Sequence, residues 1–190
     1  MLEGGCRRCA LPRGVAQRAC RGCQQLAPSL GALRAVCAYD GTARAAVHAF
    51  KFRGGRRLAP ILGQVMRAHL KRRPLRVDLV VPVPMAPGRR RERGYNQAEL
   101  LAREIAVVVG GALDETVLQR VDRPAQQTLN AAERLVNLTS AIHARRPVSE
   151  ERVLLVDDVA TTGATISACA EALASAGARN VRALVFARDL

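Results

Sequence analysis

Two sets of residues in this 190-residue chain carry side chains able to do chemistry, and each is confined to a short stretch. The first is the run Val153-Leu154-Leu155-Val156-Asp157-Asp158-Val159-Ala160-Thr161-Thr162-Gly163-Ala164-Thr165. It reads as an apolar strand that ends in two adjacent carboxylates and opens through small residues into a helix. In an open α/β sheet the ligand crevice lies at the carboxyl ends of the strands. Threonine hydroxyls and backbone N–H groups gathered at the positive end of a helix suit a phosphate, and Gly163 permits close backbone approach. Carboxylates, for their part, accept hydrogen bonds from ribose hydroxyls. One unit therefore offers groups to both halves of a phosphorylated sugar. A plain helix cap accounts for the threonines but not for two acids directly after an apolar strand.

The second set is Cys6-Arg-Arg-Cys9 and Cys20-Arg-Gly-Cys23, two pairs with ten residues between them. Each pair lets two thiolates approach one ion from a tight turn, and the intervening loop returns the chain to complete a four-cysteine shell, the arrangement of a structural zinc site. Neighbouring arginines favour thiolate over thiol. The competing readings are a disulfide framework, which a cytosolic setting disfavours, and a redox CxxC, which needs no second pair. Cys37, on an expected strand over 33–39, and Cys169, in a helical pattern, read as buried, inert thiols. His48, His69 and His143 are isolated, and His48 and His69 fit ordinary packing or solvent contact in helical patterns.

The elements that must position these groups follow from periodicity. Residues 43–50 read as a helix, and 56–72 as an amphipathic helix with Leu58, Ile61, Leu62, Val65, Met66 and Leu70 on one face, closed by Pro74. Asp78 to Val83 is short and continuously apolar, as expected of a strand buried on both faces of a parallel sheet. A polar loop is expected over 85–96, with Arg89, Arg90, Arg91 and Arg93, and then a helix from Gln97 to Val109 ended by Gly110-Gly111. Strands are expected at 117–121, 141–144, 152–156 and 180–187, and helices at 131–138 and 165–176. Strands alternating with helices predict an α/β fold with a mainly parallel sheet.

Composition bounds the rest. The chain has 30 Lys+Arg against 16 Asp+Glu, a formal charge of +14, and only two of the basic residues, Lys51 and Lys71, are lysine. Residues 1–93 carry a balance of +16 and residues 94–190 one of −2. A polyanion would be met mainly by the first half; solvated arginines that keep the protein soluble are the other reading. The longest apolar run, 105–113, contains two glycines and falls short of the ~20 residues that span a bilayer. With no apolar signal stretch at the start, the expected location is the cytosol.

The run LLVDDVATTGAT resembles the phosphoribosyl diphosphate (PRPP) signature of the type I phosphoribosyltransferases. The two cysteine pairs, YDGTARAAVHAFKFRGG, DLVVPVPM, RERGYNQAELLA and QQTLNAAERLVN stand in the order seen in the ComF family, which is linked to bacterial competence and DNA uptake. The resemblance covers nearly the whole chain. It implies a type I phosphoribosyltransferase-like fold, a parallel sheet flanked by helices, with a small zinc-binding segment. The implied organisation is a four-cysteine zinc segment over 1–30, a basic cap and connecting region over 31–75 and the core over 76–190. Asp157 and Asp158 would take the ribose hydroxyls beside a magnesium ion. Thr161, Thr162, Gly163, Ala164 and Thr165 would hold the 5′-phosphate. Pro82, Val83 and Pro84 fall at a pyrophosphate loop, and Arg89, Arg93, Asn96 and Gln97 in a mobile loop. Similar proteins often carry Thr three residues before the position of Gln126; here Arg123 stands there.

The resemblance implies PRPP as ligand, an unnamed acceptor and competence machinery proteins as partners. Three functions fit: a phosphoribosyltransferase that releases pyrophosphate, a PRPP or nucleotide sensor without turnover, and a nucleic-acid-binding accessory of DNA uptake meeting single-stranded DNA through the basic half. With five aromatic residues, a stacking platform for single strands is poorly supplied. Contacts would go to backbone phosphates and weaken steeply with salt.

Overall fold

The computed structural model describes residues 5–12, 20–52, 54–122 and 141–190. Within them the strands are β1 (Leu30–Ala38), β2 (Leu79–Pro82), β3 (Ala112–Leu113), β4 (Leu118–Arg120), β5 (Ile142–Ala144), β6 (Arg152–Ala160) and β7 (Asn180–Arg188). The helices are α1 (Arg21–Gln24), α2 (Gly41–Phe50), α3 (Ala59–Arg72), α4 (Pro87–Arg93), α5 (Gln97–Val109) and α6 (Ala164–Ser175). The expected mainly parallel α/β sheet forms: five strands in the order β1-β7-β6-β2-β3, every neighbouring pair parallel. β4 and β5 make a separate antiparallel pair. No helix among the described residues is long and apolar enough to cross a membrane.

The continuous apolar runs at 79–82 and 153–156 are explained by burial on both faces. Leu79, Val81, Val153, Leu155, Ala183 and Val185 meet α6 through Ile166, Cys169 and Leu173. Val80, Leu154, Val156, Leu184 and Phe186 meet α2, α3 and α5 through Val47, Phe50, Leu62, Met66, Leu101 and Ile105. The strand ends of β6 and β2 thus emerge between two packed layers, and the groups they carry inherit a rigid support.

Several expectations change. The helix over 59–72 buries Leu62, Met66, His69 and Leu70, but Ile61 and Val65 are exposed. They lie on the flank of the apolar stripe, beyond the reach of the sheet. The expected loop over 85–96 contains α4: Pro87 sits in its first turn, where a missing N–H costs nothing, and Gly94 ends it at φ 80°. β6 runs on through Asp157 to Ala160, because β7 extends beside it to Arg188 and keeps pairing with it. Residues 31–75 include most of β1, in the main sheet, and α2 and α3, on one of its faces. The QQTL segment, with Arg123 and Gln126, and the helix expected at 131–138 lie outside the described residues.

The cysteine-bearing segment docks against the α6 side of the sheet. The Arg8 guanidinium donates to the carbonyls of Cys23 at 2.7 Å and Ala27 at 3.1 Å. The Ala27 N–H donates to Ser167 Oγ of α6 at 3.1 Å. The Leu33 N–H of β1 donates to the Arg8 carbonyl at 2.7 Å.

Candidate functional site

At the carboxyl end of the sheet a cavity of about 150 Å³ gathers residues from seven places in the fold. β6 contributes Asp157 and Asp158, the turn after β2 contributes Val83 to Ala86, and α4 contributes Arg89 and Arg93. Asn96, Gln97 and Thr165 complete the expected set, while Lys51 and Arg120 line the cavity without having been assigned a role from sequence. A larger hollow of about 620 Å³ beside β5 and α6 is remote from the strand ends and contains no acidic pair.

Asp157 and Asp158 occupy successive positions of β6 at the open end of the sheet, and both line the cavity. Asp158 is 7% exposed, and its Oδ2 stands 3.5 Å from Lys51 Nζ. That is a charge contact rather than a hydrogen bond, and Oδ2 has no donor in the described structure. Asp157 Oδ1 accepts from the Asp158 N–H at 2.8 Å. Burial and then the neighbouring Asp158 carboxylate push the Asp157 pKa well above the usual carboxylate range, with the Asp158 N–H and Lys51 acting in the other direction. The pair is poised to accept hydrogen bonds from hydroxyls or to share a cation, since either would relieve this crowding.

Cations surround the acids. In α4, Arg90 pairs with Glu99 and Arg91 lies 3.7 Å from Asp122, which also accepts from the Gly88 N–H at 2.9 Å. Those contacts hold the helix so that Arg89 and Arg93, one turn apart, share the face toward the cavity. Arg120 is half-buried; burial and then Arg89 lower its pKa, while Cys169, Asp122 and Asp157 raise it. Arg89, Arg93 and Arg120 can therefore meet an anion with more oxygens than a single phosphate.

The small-residue loop forms the adjoining rim. Thr161 and Thr162 are exposed, and Thr162 Oγ1 accepts from the Ala164 N–H at 3.3 Å. Gly163 has φ 84°, and a Cβ there would lie 2.6 Å from Leu26 Cδ2. The glycine is needed both for the turn and because the cysteine-bearing segment presses on it. Beneath the loop, Arg188 is 1% exposed and donates from Nη1 to the Thr161 carbonyl. Burial lowers the Arg188 pKa, and Cys9 and Asp189 raise it. Of the expected phosphate loop, Thr165 lines the cavity itself; Thr161, Thr162, Gly163 and Ala164 stand beside it.

Asn96 and Gln97 are occupied internally. Asn96 caps α5 by accepting from the Ala98 N–H at 3.0 Å and donates to the Val83 carbonyl at 3.0 Å. Gln97 donates to the Phe50 carbonyl at 3.4 Å and accepts from Arg93 at 3.3 Å. Tyr95, under the Arg56 guanidinium, donates to the carbonyls of Phe50 and Phe52. These bonds tie the end of α2, and so Lys51, to the start of α5. Pro82 lies inside β2 and is buried.

The four thiols of Cys6, Cys9, Cys20 and Cys23 lie within 4.8 Å of one another, with Cys6 to Cys23 and Cys9 to Cys20 each 3.4 Å apart. Sulfurs around a tetrahedral ion with bonds of about 2.3 Å would stand roughly 3.8 Å apart, so the cluster is positioned to hold a metal. Burial opposes ionisation of Cys6, but N–H groups of Arg8 and Cys9 and neighbouring thiols outweigh it and bring its pKa to about 6. Burial, joined by the other thiols, pushes Cys9 up to about 12. Cys169 is fully buried in α6, and burial pushes its thiol well up.

Comparison with known proteins adds sequence kinship to this geometry. The phosphoribosyl transferase domain model matches residues 91–190. The chain is 32% identical to the DNA utilization protein YhgH of Salmonella typhi, over 97% of this chain and 84% of that protein. It is 29% identical to competence protein F of Haemophilus influenzae, over 89% of this chain and 78% of that protein. With competence protein ComFC of Streptococcus pneumoniae the figures are 28%, 82% and 67%.

Proposed function

The chain belongs to the phosphoribosyl transferase domain family, in its ComF branch, and on that premise we propose that it binds PRPP at the carboxyl end of β6. The observation that carries this reading is the mixture of charges in one cavity: two carboxylates for a sugar diol, and Lys51, Arg89, Arg93 and Arg120 for a diphosphate. The loop over 161–165 is the phosphate cradle beside it. In the transfer reaction the bond from the anomeric carbon to the diphosphate oxygen breaks, electron density leaves with pyrophosphate, and an acceptor nucleophile takes the sugar carbon. Guanidinium groups stabilise the departing charge without moving, and no side chain is needed as a covalent nucleophile. Arg89 and Arg93 are the arginines assigned to pyrophosphate; Asn96 and Gln97 position the loop and α5.

Two metals fit the donor sets. Asp157 and Asp158, with an unpartnered Oδ2 on Asp158, suit a hard cation such as magnesium, which would neutralise charge on the bound diphosphate. The four thiolates suit zinc in a closed, structural role. The names of the relatives support a place in DNA utilisation and competence, with the basic first half as the surface for a polyanion. The acceptor is unassigned.

The test is a titration with PRPP and magnesium on the wild type and on Asp157→Asn/Asp158→Asn, with pyrophosphate release followed in the same samples. Saturable binding by the wild type alone is expected. Pyrophosphate formation marks a transferase, and binding without it marks a sensor. Equal binding by both proteins would remove the assignment.

A further inference from the structure

A second cavity, of about 400 Å³, lies between the cysteine-bearing segment, the outer strand β1 and the last turn of α3. The basic part of its lining comes from three separate places: Arg7 of the cysteine-bearing segment, Arg34 of β1, and the end of α3, with His69 in its last turn and Arg73 as its cap. Among the described residues no carboxylate lines it, and none pairs with Arg7, Arg34 or Arg73. The guanidinium of Arg34 donates to the Arg73 carbonyl at 2.6 Å, which covers the negative end of α3. Burial and then the charges of Arg182 and Arg73 make the Arg34 cation less favourable, so the cluster is in electrostatic tension. The Cys6 sulfur also borders the cavity, but it is turned toward Cys23 Sγ, 3.4 Å away.

His69 supplies the second, independent observation. It is 7% exposed, and its Nε2 is buried with no hydrogen-bond partner. Burial and then Arg34, Arg73 and Arg72 keep its pKa low, so the ring is neutral at pH 7. A buried ring nitrogen without a partner is costly unless a ligand reaches it. A neutral imidazole with its proton on Nε2 is a donor, like the guanidinium groups around it. Arg7, Arg34, His69 and Arg73 can thus each point a donor at one guest, and no carboxylate among the described residues competes.

We propose that this cavity is a second oxyanion site, which takes a small phosphate group bearing two charges. Arginine forks match phosphate oxygens in pairs, and the Nε2–H would take a remaining oxygen. The site is distinct from the one at the end of β6 and does not depend on that assignment.

The test reads the His69 ring directly. The chain has three histidines, so nitrogen–proton correlation spectra of the imidazoles are simple, and His69→Gln assigns the signal. Inorganic phosphate should shift the His69 Nε2 signal saturably against a sodium chloride control of equal ionic strength. The response should weaken roughly tenfold in Arg34→Gln and in Arg73→Gln, each still showing a cooperative melt. Arg7→Gln, at an exposed position, provides a variant with little risk to folding. The shift should persist in Asp157→Asn/Asp158→Asn, which separates this site from the first. A nucleoside monophosphate should act like phosphate. A His69 signal that phosphate leaves in place overturns the proposal. So does a shift produced only by a single-stranded oligonucleotide without terminal phosphate, which would mark a surface for phosphodiesters instead.

Discussion

The two cavities use the same residue type in opposite settings. At the end of β6, cations and acids are interleaved: Lys51 faces Asp158, Arg90 pairs with Glu99, and Arg91 leans on Asp122. Against β1, the lining has three arginines, a neutral histidine and the Cys6 sulfur turned toward Cys23, and no carboxylate. A site of mixed sign can be held in shape before any ligand arrives, because its charged groups satisfy one another. A cavity of one sign is under strain until something fills it. The surplus of +16 over residues 1–93 therefore cannot be read as one surface: some of it is fixed by partners, and some is held without any.

The cysteine-bearing segment presses on the loop beside the first cavity, through Leu26 at Gly163, and lines the second through Cys6 and Arg7. The largest effect should come from Cys9→Ser. Bound metal should fall from one ion per chain to none by elemental analysis, and the melting temperature should drop by on the order of 10 °C. Both cavities should weaken together; damage to one alone would break the picture of a shared support. Next comes Asp157→Asn/Asp158→Asn, which should weaken PRPP binding about 100-fold by titration calorimetry while leaving the phosphate response of His69 in place.

Gly163→Ala should cost about 1–3 kcal/mol in a denaturant melt, because the new methyl group meets Leu26 at a positive φ. A paired Leu26→Ala should recover part of it. Asp157→Asn alone should raise the melting temperature at pH 7 by roughly 2–4 °C. The carboxyl pKa is raised in the fold, so its stabilising contribution is complete below the ordinary carboxylate pKa and is lost as pH rises through the higher folded value. The gain should accordingly fade near pH 4, about where the unfolded carboxyl also takes its proton. The smallest effect concerns His69. Its folded pKa is lowered, so the unfolded chain takes up a proton first as pH falls below about 6.5, and stability declines from there. His69→Gln should flatten that decline in melts between pH 7.5 and 5.5.

The strand that carries the acids could be read from Val153 to Val156 because burial on both faces leaves a run of apolar residues and no polar alternation. Its continuation through Asp157 to Ala160 could not, since only the neighbouring β7 sustains it. That difference matters, for the continuation is what holds both carboxylates on a paired, rigid strand at the cavity. α4 was hidden because a segment rich in arginine lacks the apolar stripe that marks a helix; its signals were Pro87 at the start and Gly94 at the end. Lys51 did have a mark in composition, as one of two lysines among 28 arginines. Arg120 had none. The cavity beside β1 is assembled from positions 7, 34, 69 and 73, which no local spacing could connect.

The hydrogen bond from Leu33 to Arg8 has a consequence for how copies of this protein behave in solution. β1 is the outermost strand, nine residues long and mostly apolar, and its free side would offer a template for a strand of another molecule. The cysteine turn lies across that side and takes one of its donors. Chelation should therefore do more than loosen a segment: it should turn a covered edge into a sticky one, with light scattering rising in proportion to protein concentration and subsiding when metal is restored early.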